Sequence, residues 1–108
     1  MPYAVQLTDD AACDLEEIFD YLSRQDAPGR AEHVLERIQQ AFHELSTFPD
    51  RGSHPRELLE LGIEEYREVF FKPYRVIYRV VGDGVYVQVI ADGRRDMRAL
   101  LQRRLLRA

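Results

Sequence analysis

Along this chain the apolar positions recur first with a helical period and then with period two, and the change divides the sequence into two halves. Tyr3 to Leu7 alternates weakly and predicts a short first strand. Thr8 can cap a helix whose first turn holds Asp9 and Asp10, where carboxylates favour the positive end of the helix dipole. Leu15, Ile18, Phe19 and Leu22 then fall at helical spacing among Asp14, Glu16, Glu17 and Asp20, and this first helix is expected to end near Gln25. Asp26-Ala27-Pro28-Gly29 interrupts the pattern, and Pro28 suits the first turn of a second helix because its missing N–H costs nothing there. Ala31, Val34, Leu35, Ile38, Ala41, Phe42 and Leu45 make an apolar stripe about four turns long. Two amphipathic helices joined by a short turn predict an antiparallel hairpin that must bury its apolar sides on a common surface.

Pro49, Gly52 and Pro55 close the helical half, and residues 50–65 read as a polar connection anchored by Leu58, Leu59, Leu61 and Ile63. From Tyr66 the period becomes two. The runs Tyr66 to Phe71, Tyr74 to Val81 and the Val-rich stretch after Gly82-Asp83-Gly84 predict three consecutive antiparallel strands, the first two separated only by Lys72-Pro73. Strict alternation puts Tyr74, Val76, Tyr78 and Val80 on one face of the middle strand and Arg75, Ile77, Arg79 and Val81 on the other. In the last strand it puts Val85, Val87 and Val89 on one side and Tyr86, Gln88 and Ile90 on the other. One sheet face is apolar enough to receive the helical hairpin, and the mixed face carries arginines. Met97 to Arg107 then reads as a short basic amphipathic helix or tail, with Met97, Leu100, Leu101 and Leu105 on one face; at about 11 residues it must dock on the domain or on a partner. The expected architecture is α+β in a single domain, 1–108, with the hairpin packed on a three- to four-stranded antiparallel-meander sheet.

Composition narrows the class. The chain has 108 residues and no run approaching the roughly 20 apolar residues of a membrane span. Its N-terminus lacks the basic start and apolar run of a secretory signal, which leads to a cytoplasmic expectation. The single cysteine, Cys13, cannot form an internal disulfide and suits a reducing compartment. The net charge of −4 hides a division: residues 1–65 carry 15 acidic and 5 basic side chains, and residues 66–108 carry 4 acidic and 10 basic. A cationic C-terminal part coinciding with the arginine-bearing strands points to an anionic partner there.

Candidate chemistry is sparse. His33, His43 and His54 are dispersed, HExxH and CxxC spacings are absent, and so are GxSxG, GxGxxG and the Walker lysine motif. No metal and no cofactor is expected. The arginines remain: Arg75 and Arg79 on one strand face, Arg94 and Arg95 after the last strand, and Arg67 with Lys72 on the first strand of the meander. Guanidinium groups chelate phosphates and carboxylates through paired hydrogen bonds, so the cluster could hold nucleic acid or an acidic protein segment. Internal pairing is the competing use, with Arg95 to Asp92 or Asp96 and Arg67 to Glu68 or Glu65 as the nearest options; about half of the cluster is expected to be structural.

The element order, together with L-S-T-F-P-D-R-G closing the second helix, E-Y-R-E-V-F, K-P-Y-R-V-I-Y-R-V, the Gly-Asp-Gly turn and D-G-R-R-D-M, resembles the RelE/ParE superfamily of bacterial toxins, and in detail its ParE-type plasmid-stabilisation branch. The resemblance spans nearly the whole chain. It implies the toxin of a type II toxin–antitoxin module, neutralised by a cognate antitoxin in a hetero-oligomer. RelE-like members cleave messenger RNA on the ribosome, whereas ParE-like members are associated with inhibition of DNA gyrase. Arg75 and Arg95 match two arginines of the ribonucleases, but Leu101 stands where those have a tyrosine, and paired lysines are missing around Arg67-Glu68-Val69. Cleavage by 2′-hydroxyl attack needs a base, a charge stabiliser and an acid, and two arginines supply only the second. A net charge of −4 also suits ribosomal RNA poorly.

The reading is therefore a gyrase-directed binding toxin and not an enzyme, with a ribosome-dependent endoribonuclease using Arg75 and Arg95, or a non-toxic interaction domain, as alternatives. Target-binding candidates are Arg67, Lys72, Arg75, Arg79, Arg94 and Arg95. Antitoxin-binding candidates are Leu100, Leu101, Arg104 and Leu105, with the groove between hairpin and sheet and the exposed strand edge as further antitoxin surfaces.

Overall fold

A computed structural model describes residues 2–25 and 29–106. Strand β1 (Ala4–Leu7) leads into helix α1 (Asp9–Gln25), and α2 (Arg30–His43) runs on into a 3₁₀ turn at Glu44–Ser46. A one-turn helix α3 (Arg56–Leu59) precedes β2 (Tyr66–Phe71), β3 (Tyr74–Val81), β4 (Gly84–Asp92) and α4 (Met97–Leu105). The expected cap of α1 is present: Thr8 Oγ1 accepts from the Ala11 N–H at 3.2 Å. Asp96 does the same for α4, accepting from Ala99 N–H at 3.1 Å. Asp26, Ala27, Pro28 and Arg107, on which the expected helix break and part of the basic tail rest, lie outside the described residues; of the break, only Gly29 is described.

The sheet order is β1-β4-β3-β2. The three later strands form the expected antiparallel meander, while β1 joins β4 in parallel, Ala4 opposite Gly84 and Leu7 opposite Val87. A parallel neighbour is possible because the whole helical hairpin and β2–β3 intervene in sequence. Gly82, at φ +61°, turns β3 into β4 in the left-handed region that favours glycine.

Helices α1 and α2 cover one face, burying Leu15, Leu22, Val34, Ile38 and Phe42 against Val76, Tyr78, Val85 and Val87. The strict alternation expected for β4 fails at Gln88. Tyr78 pairs with Val87 but Ile77 pairs with Val89, so one extra residue is inserted in β4 and the faces exchange beyond it. Ile90 therefore joins the hairpin core, and Val89 turns to the opposite side with Ala91.

That opposite face is covered as well, which the alternation alone did not suggest. Leu58 of α3 and Met97, Leu100 and Leu101 of α4 pack on Tyr66, Ile77, Val89 and Ala91 as a second core. Of the expected anchors in 50–65, Leu58 is buried and Ile63 partly so, whereas Leu59 and Leu61 project from α3 and the following turn and stay exposed. Gly52 lets the connection pass close to the sheet: a Cβ there would lie 2.6 Å from the Glu68 carbonyl oxygen and 2.7 Å from the Tyr78 hydroxyl. The Tyr78 hydroxyl instead donates to Pro49 O at 2.6 Å and accepts from the Gly52 N–H at 3.1 Å.

Candidate functional site

Strand register brings the β2–β3 turn and the β4–α4 loop together at one end of the sheet. Tyr74 lies opposite Asp92, and the Gly93 N–H donates to Pro73 O at 2.7 Å. Lys72 at the tip of the first turn, and Arg94 and Arg95 in the loop, are all exposed there. Asp92 shapes the loop: it accepts from the Arg94 backbone N–H at 2.9 Å and from its guanidinium at 3.0 and 2.6 Å. The Arg94 guanidinium holds the Asp92 carboxyl below its ordinary range. Arg94 is nevertheless 78% exposed, so its outer edge is open to a partner. Neither Lys72 nor Arg95 has a carboxylate within 4.0 Å among the described residues.

Behind Arg95 an open hollow of about 260 Å³ is lined by Ile18, Tyr21, Tyr74, Ile90 and Asp92. Tyr21 is 57% exposed at its mouth, a large apolar surface beside the cations. Tyr74 lies inside, its hydroxyl pKa pushed up by burial and then by the Asp92 charge. This end of the molecule therefore offers cations, aromatic surface and one small recess.

The strand-face arginines have other partners. Arg75, only 12% exposed, chelates Glu57 of α3 through two bonds of 2.9 and 2.8 Å and gives its Nε–H to Glu68 at 2.7 Å. Hydrogen bonding to Arg75 holds the Glu57 carboxyl down at about 2, whereas burial pushes Glu68 up despite the same arginine. Arg67 lies on the other face, opposite Tyr78, and donates to the carbonyls of Gly52 at 2.7 Å and Asp50 at 3.2 Å. Arg79 stands 3.8 Å from Glu65. The pairings differ from the near-sequence ones expected: Asp92 takes Arg94 and not Arg95, and the acidic partners of Arg75 come from α3 and β2.

The C-terminal candidates are also occupied within the domain. Leu100 and Leu101 are buried and Leu105 is packed beside them. Arg104 chelates Asp14 of α1 at 3.0 Å through both terminal nitrogens and gives a further bond to Gln88 O at 2.9 Å. Asp14 in turn accepts from the Ile90 N–H at 3.0 Å. One arginine and one aspartate thus satisfy backbone groups of β4 beyond Val87, where its pairing with β1 ends, and tie α4 to α1.

The residues that sequence reasoning missed are Glu57, Asp14 and Tyr21, and Glu68, expected beside Arg67, pairs with Arg75 instead. Glu68 did leave a signal, since it stands between Tyr66 and Phe70 on one strand face where a carboxylate needs a buried partner. Chemically the cationic end can bind anionic groups. Proton transfer has little support there: the His54 Nδ1 lies 3.0 Å from Tyr66 O, away from the cationic end, and the position six beyond Arg95 is the buried Leu101. Among the described residues no group of three or more His, Cys, Asp or Glu is placed to hold a metal ion, and no helix is long and apolar enough to cross a membrane.

The fold is that of a toxin class known from complexes. It superposes on a chain of a chromosomal ParDE toxin–antitoxin system from P. aeruginosa with a TM-score of 0.70 at 22% identity, covering 83% of this chain and 95% of that one. It also matches a chain of the toxin–antitoxin complex RelBE2 from Mycobacterium tuberculosis, with a TM-score of 0.61 at 22% identity over 85% of this chain and 99% of the other. In sequence it is 34% identical over 88 residues to Toxin ParE3 of Caulobacter vibrioides, covering 82% of this chain and 84% of the relative. Residues 5–97 match the family described as the ParE toxin of type II toxin-antitoxin system, parDE, and the chain belongs to that family.

Proposed function

We propose that this toxin arrests growth in the cytoplasm by binding a protein target through the cationic end of its sheet, with DNA gyrase as the target expected from its family, and that a cognate antitoxin holds it inactive in a hetero-oligomer. The observation that carries the reading is the division of labour among the arginines. Arg67 and Arg75 are held by carbonyls and carboxylates inside the domain and Arg79 stands 3.8 Å from Glu65, whereas Lys72 and Arg95 have no carboxylate within 4.0 Å among the described residues and Arg94, though paired with Asp92, stays 78% exposed; these three converge from two loops. Cations beside an exposed tyrosine suit the anionic rim and aromatic anchor of a protein interface.

Binding without chemistry is supported by what surrounds Arg75. A ribonuclease would need Arg75 free to stabilise a phosphorane, yet both of its donor edges face carboxylates.

The test is a supercoiling assay with gyrase and purified, antitoxin-free toxin. Wild type should inhibit, and Lys72→Glu with Arg95→Glu should lose inhibition by about a hundredfold while keeping the wild-type unfolding midpoint. A folded double variant that inhibits as well as wild type would refute the cationic end as the contact surface. Growth arrest by a wild-type protein that leaves gyrase untouched and cleaves ribosome-bound messenger would refute the target.

A further inference from the structure

The recess behind Arg95 holds a group that the fold does not use. Tyr74 and Tyr78 stand two residues apart on the hairpin face of β3 and are both buried, at 8% and 0% exposure. The Tyr78 hydroxyl is fully employed, donating to Pro49 O and accepting from the Gly52 N–H. The Tyr74 hydroxyl has no hydrogen-bond partner among the described residues. A buried tyrosine whose hydroxyl bonds to nothing packs no better than phenylalanine, so packing alone does not account for the oxygen. Its electrostatic surroundings show where it points. After burial, the charges that move its pKa are those of Asp92 and Arg94 at the end of β4, then Arg30 at the start of α2, with Tyr21 of α1 after them. The hydroxyl is therefore aimed to where these three segments meet over the recess, whose lining includes Tyr21, Tyr74 and Asp92.

Charge and shape select the occupant. Two of the carboxylates that line the recess are answered, Asp14 by Arg104 and the Ile90 N–H, and Asp92 by Arg94. Glu17 on α1 and Arg95 on the loop remain exposed at its rim, with Arg30 outside it, and none of the three has an opposite charge within 4.0 Å among the described residues. Two cations against one carboxylate leave a place for one further negative charge. Ile18, Ile90 and Ala91 form the walls, and a volume of about 260 Å³ admits a single side chain. Apolar walls suit a carboxylate carried on methylene groups, whereas a phosphate has no aliphatic stem to lay against them. We propose that the recess is the pocket for one acidic side chain of the target protein, a glutamate whose carboxylate accepts from the Tyr74 hydroxyl and the Arg95 guanidinium while its stem lies on Ile18 and Ile90. The inference rests on the reading of the cationic end as the target-binding surface and names the group that this surface recognises.

Tyr74→Phe is the decisive variant, because it removes one oxygen and keeps the ring. Its urea midpoint should equal or exceed that of wild type, while inhibition in the gyrase assay should weaken about tenfold through loss of a hydrogen bond to a charged group. Glu17→Gln has the opposite sign: it takes a like charge from the rim and should strengthen inhibition about threefold. A direct probe needs no gyrase. Toxin with isotope-labelled tyrosine rings is titrated with a glutamate capped at both ends and, separately, with inorganic phosphate, and followed by nuclear magnetic resonance. The glutamate should shift the Tyr74 ring signals saturably, and Arg95→Met should abolish the shift. A Tyr74 ring unmoved by glutamate overturns the proposal, and so does a tighter response to phosphate, which would assign the recess to a nucleic-acid backbone. Loss of antitoxin affinity in Tyr74→Phe with inhibition unchanged would also overturn it. If wild type leaves gyrase untouched while glutamate moves Tyr74, the target fails and the pocket stands; if inhibition survives Tyr74→Phe but not Lys72→Glu with Arg95→Glu, only the pocket fails.

Discussion

Replacing Arg75 by methionine isolates the carboxylate clamp between α3 and the sheet. Methionine keeps most of the aliphatic stem that runs past Gly93, where a Cβ would lie 2.8 Å from Arg75 Cδ, and removes all three bonds to Glu57 and Glu68. Glu57 is the more exposed partner and can turn to water; Glu68, only 7% exposed, is left buried without a counter-charge. Breaking a buried pair from one side costs about 3–5 kcal/mol. Protonation of Glu68 limits the loss, since an unpaired neutral group costs only about 1–3 kcal/mol, so a net loss of about 3 kcal/mol is expected.

Against a total stability of about 5–15 kcal/mol that is a large fraction. At about 4–8 °C per kcal/mol for a domain of this size, the melting temperature should fall by about 12 °C or more. Urea and thermal unfolding followed by far-ultraviolet circular dichroism and tyrosine fluorescence measure the two losses, the chain having six tyrosines and no tryptophan. The companion variant Arg75→Met with Glu68→Met removes the stranded charge and should recover most of the loss, because well-packed apolar replacements of buried ion pairs are often neutral or stabilising. A single variant that loses less than about 1 kcal/mol, or a double variant no more stable than the single, would refute the clamp. The same numbers govern any toxicity assay on Arg75: loss of growth arrest bears on target binding only in a variant shown to be folded.

Acid should separate the two carboxylates of the clamp. The depressed Glu57 contributes stability that is complete above its ordinary 4.5 and fades as pH falls through about 2. Glu68, raised by burial, has the opposite sign: its neutral form is favoured in the folded state, so it regains stability as pH falls through its raised value. Glu68→Gln should therefore raise the urea midpoint at neutral pH and steepen its decline toward pH 2, and a decline parallel to wild type would contradict the assignment. Arg104→Gln should loosen α4 by taking the partner from Asp14 and Gln88 O, costing about 2–3 kcal/mol and speeding hydrogen exchange across 97–105; unchanged exchange there would show that the apolar face alone holds the helix.

The sequence alone determined the elements, because their signals are local. A period of 3.6 in Ala31 to Leu45, a period of two from Tyr66 onward and a Gly-Asp-Gly turn each describe residues that interact within a few positions. They established the α+β class, the helical hairpin, the meander and the docking face of α4. Tertiary structure decided what periodicity cannot carry. One extra residue at Gln88 exchanged the faces of Val89 and Ile90, and a bulge leaves no trace in residue type. The one-turn α3 was too short to show a period, yet it supplies Leu58 to the second core and Glu57 to Arg75. Above all, the fate of each arginine depended on partners far away in sequence, Glu57 18 positions from Arg75 and Asp14 90 positions from Arg104. A guanidinium reads the same in a sequence whether it is buried against carboxylates or open to water, and only the packing of α3 on the far face of the sheet took Arg75 out of the six cations singled out in the sequence and left Lys72, Arg94 and Arg95 exposed at one end.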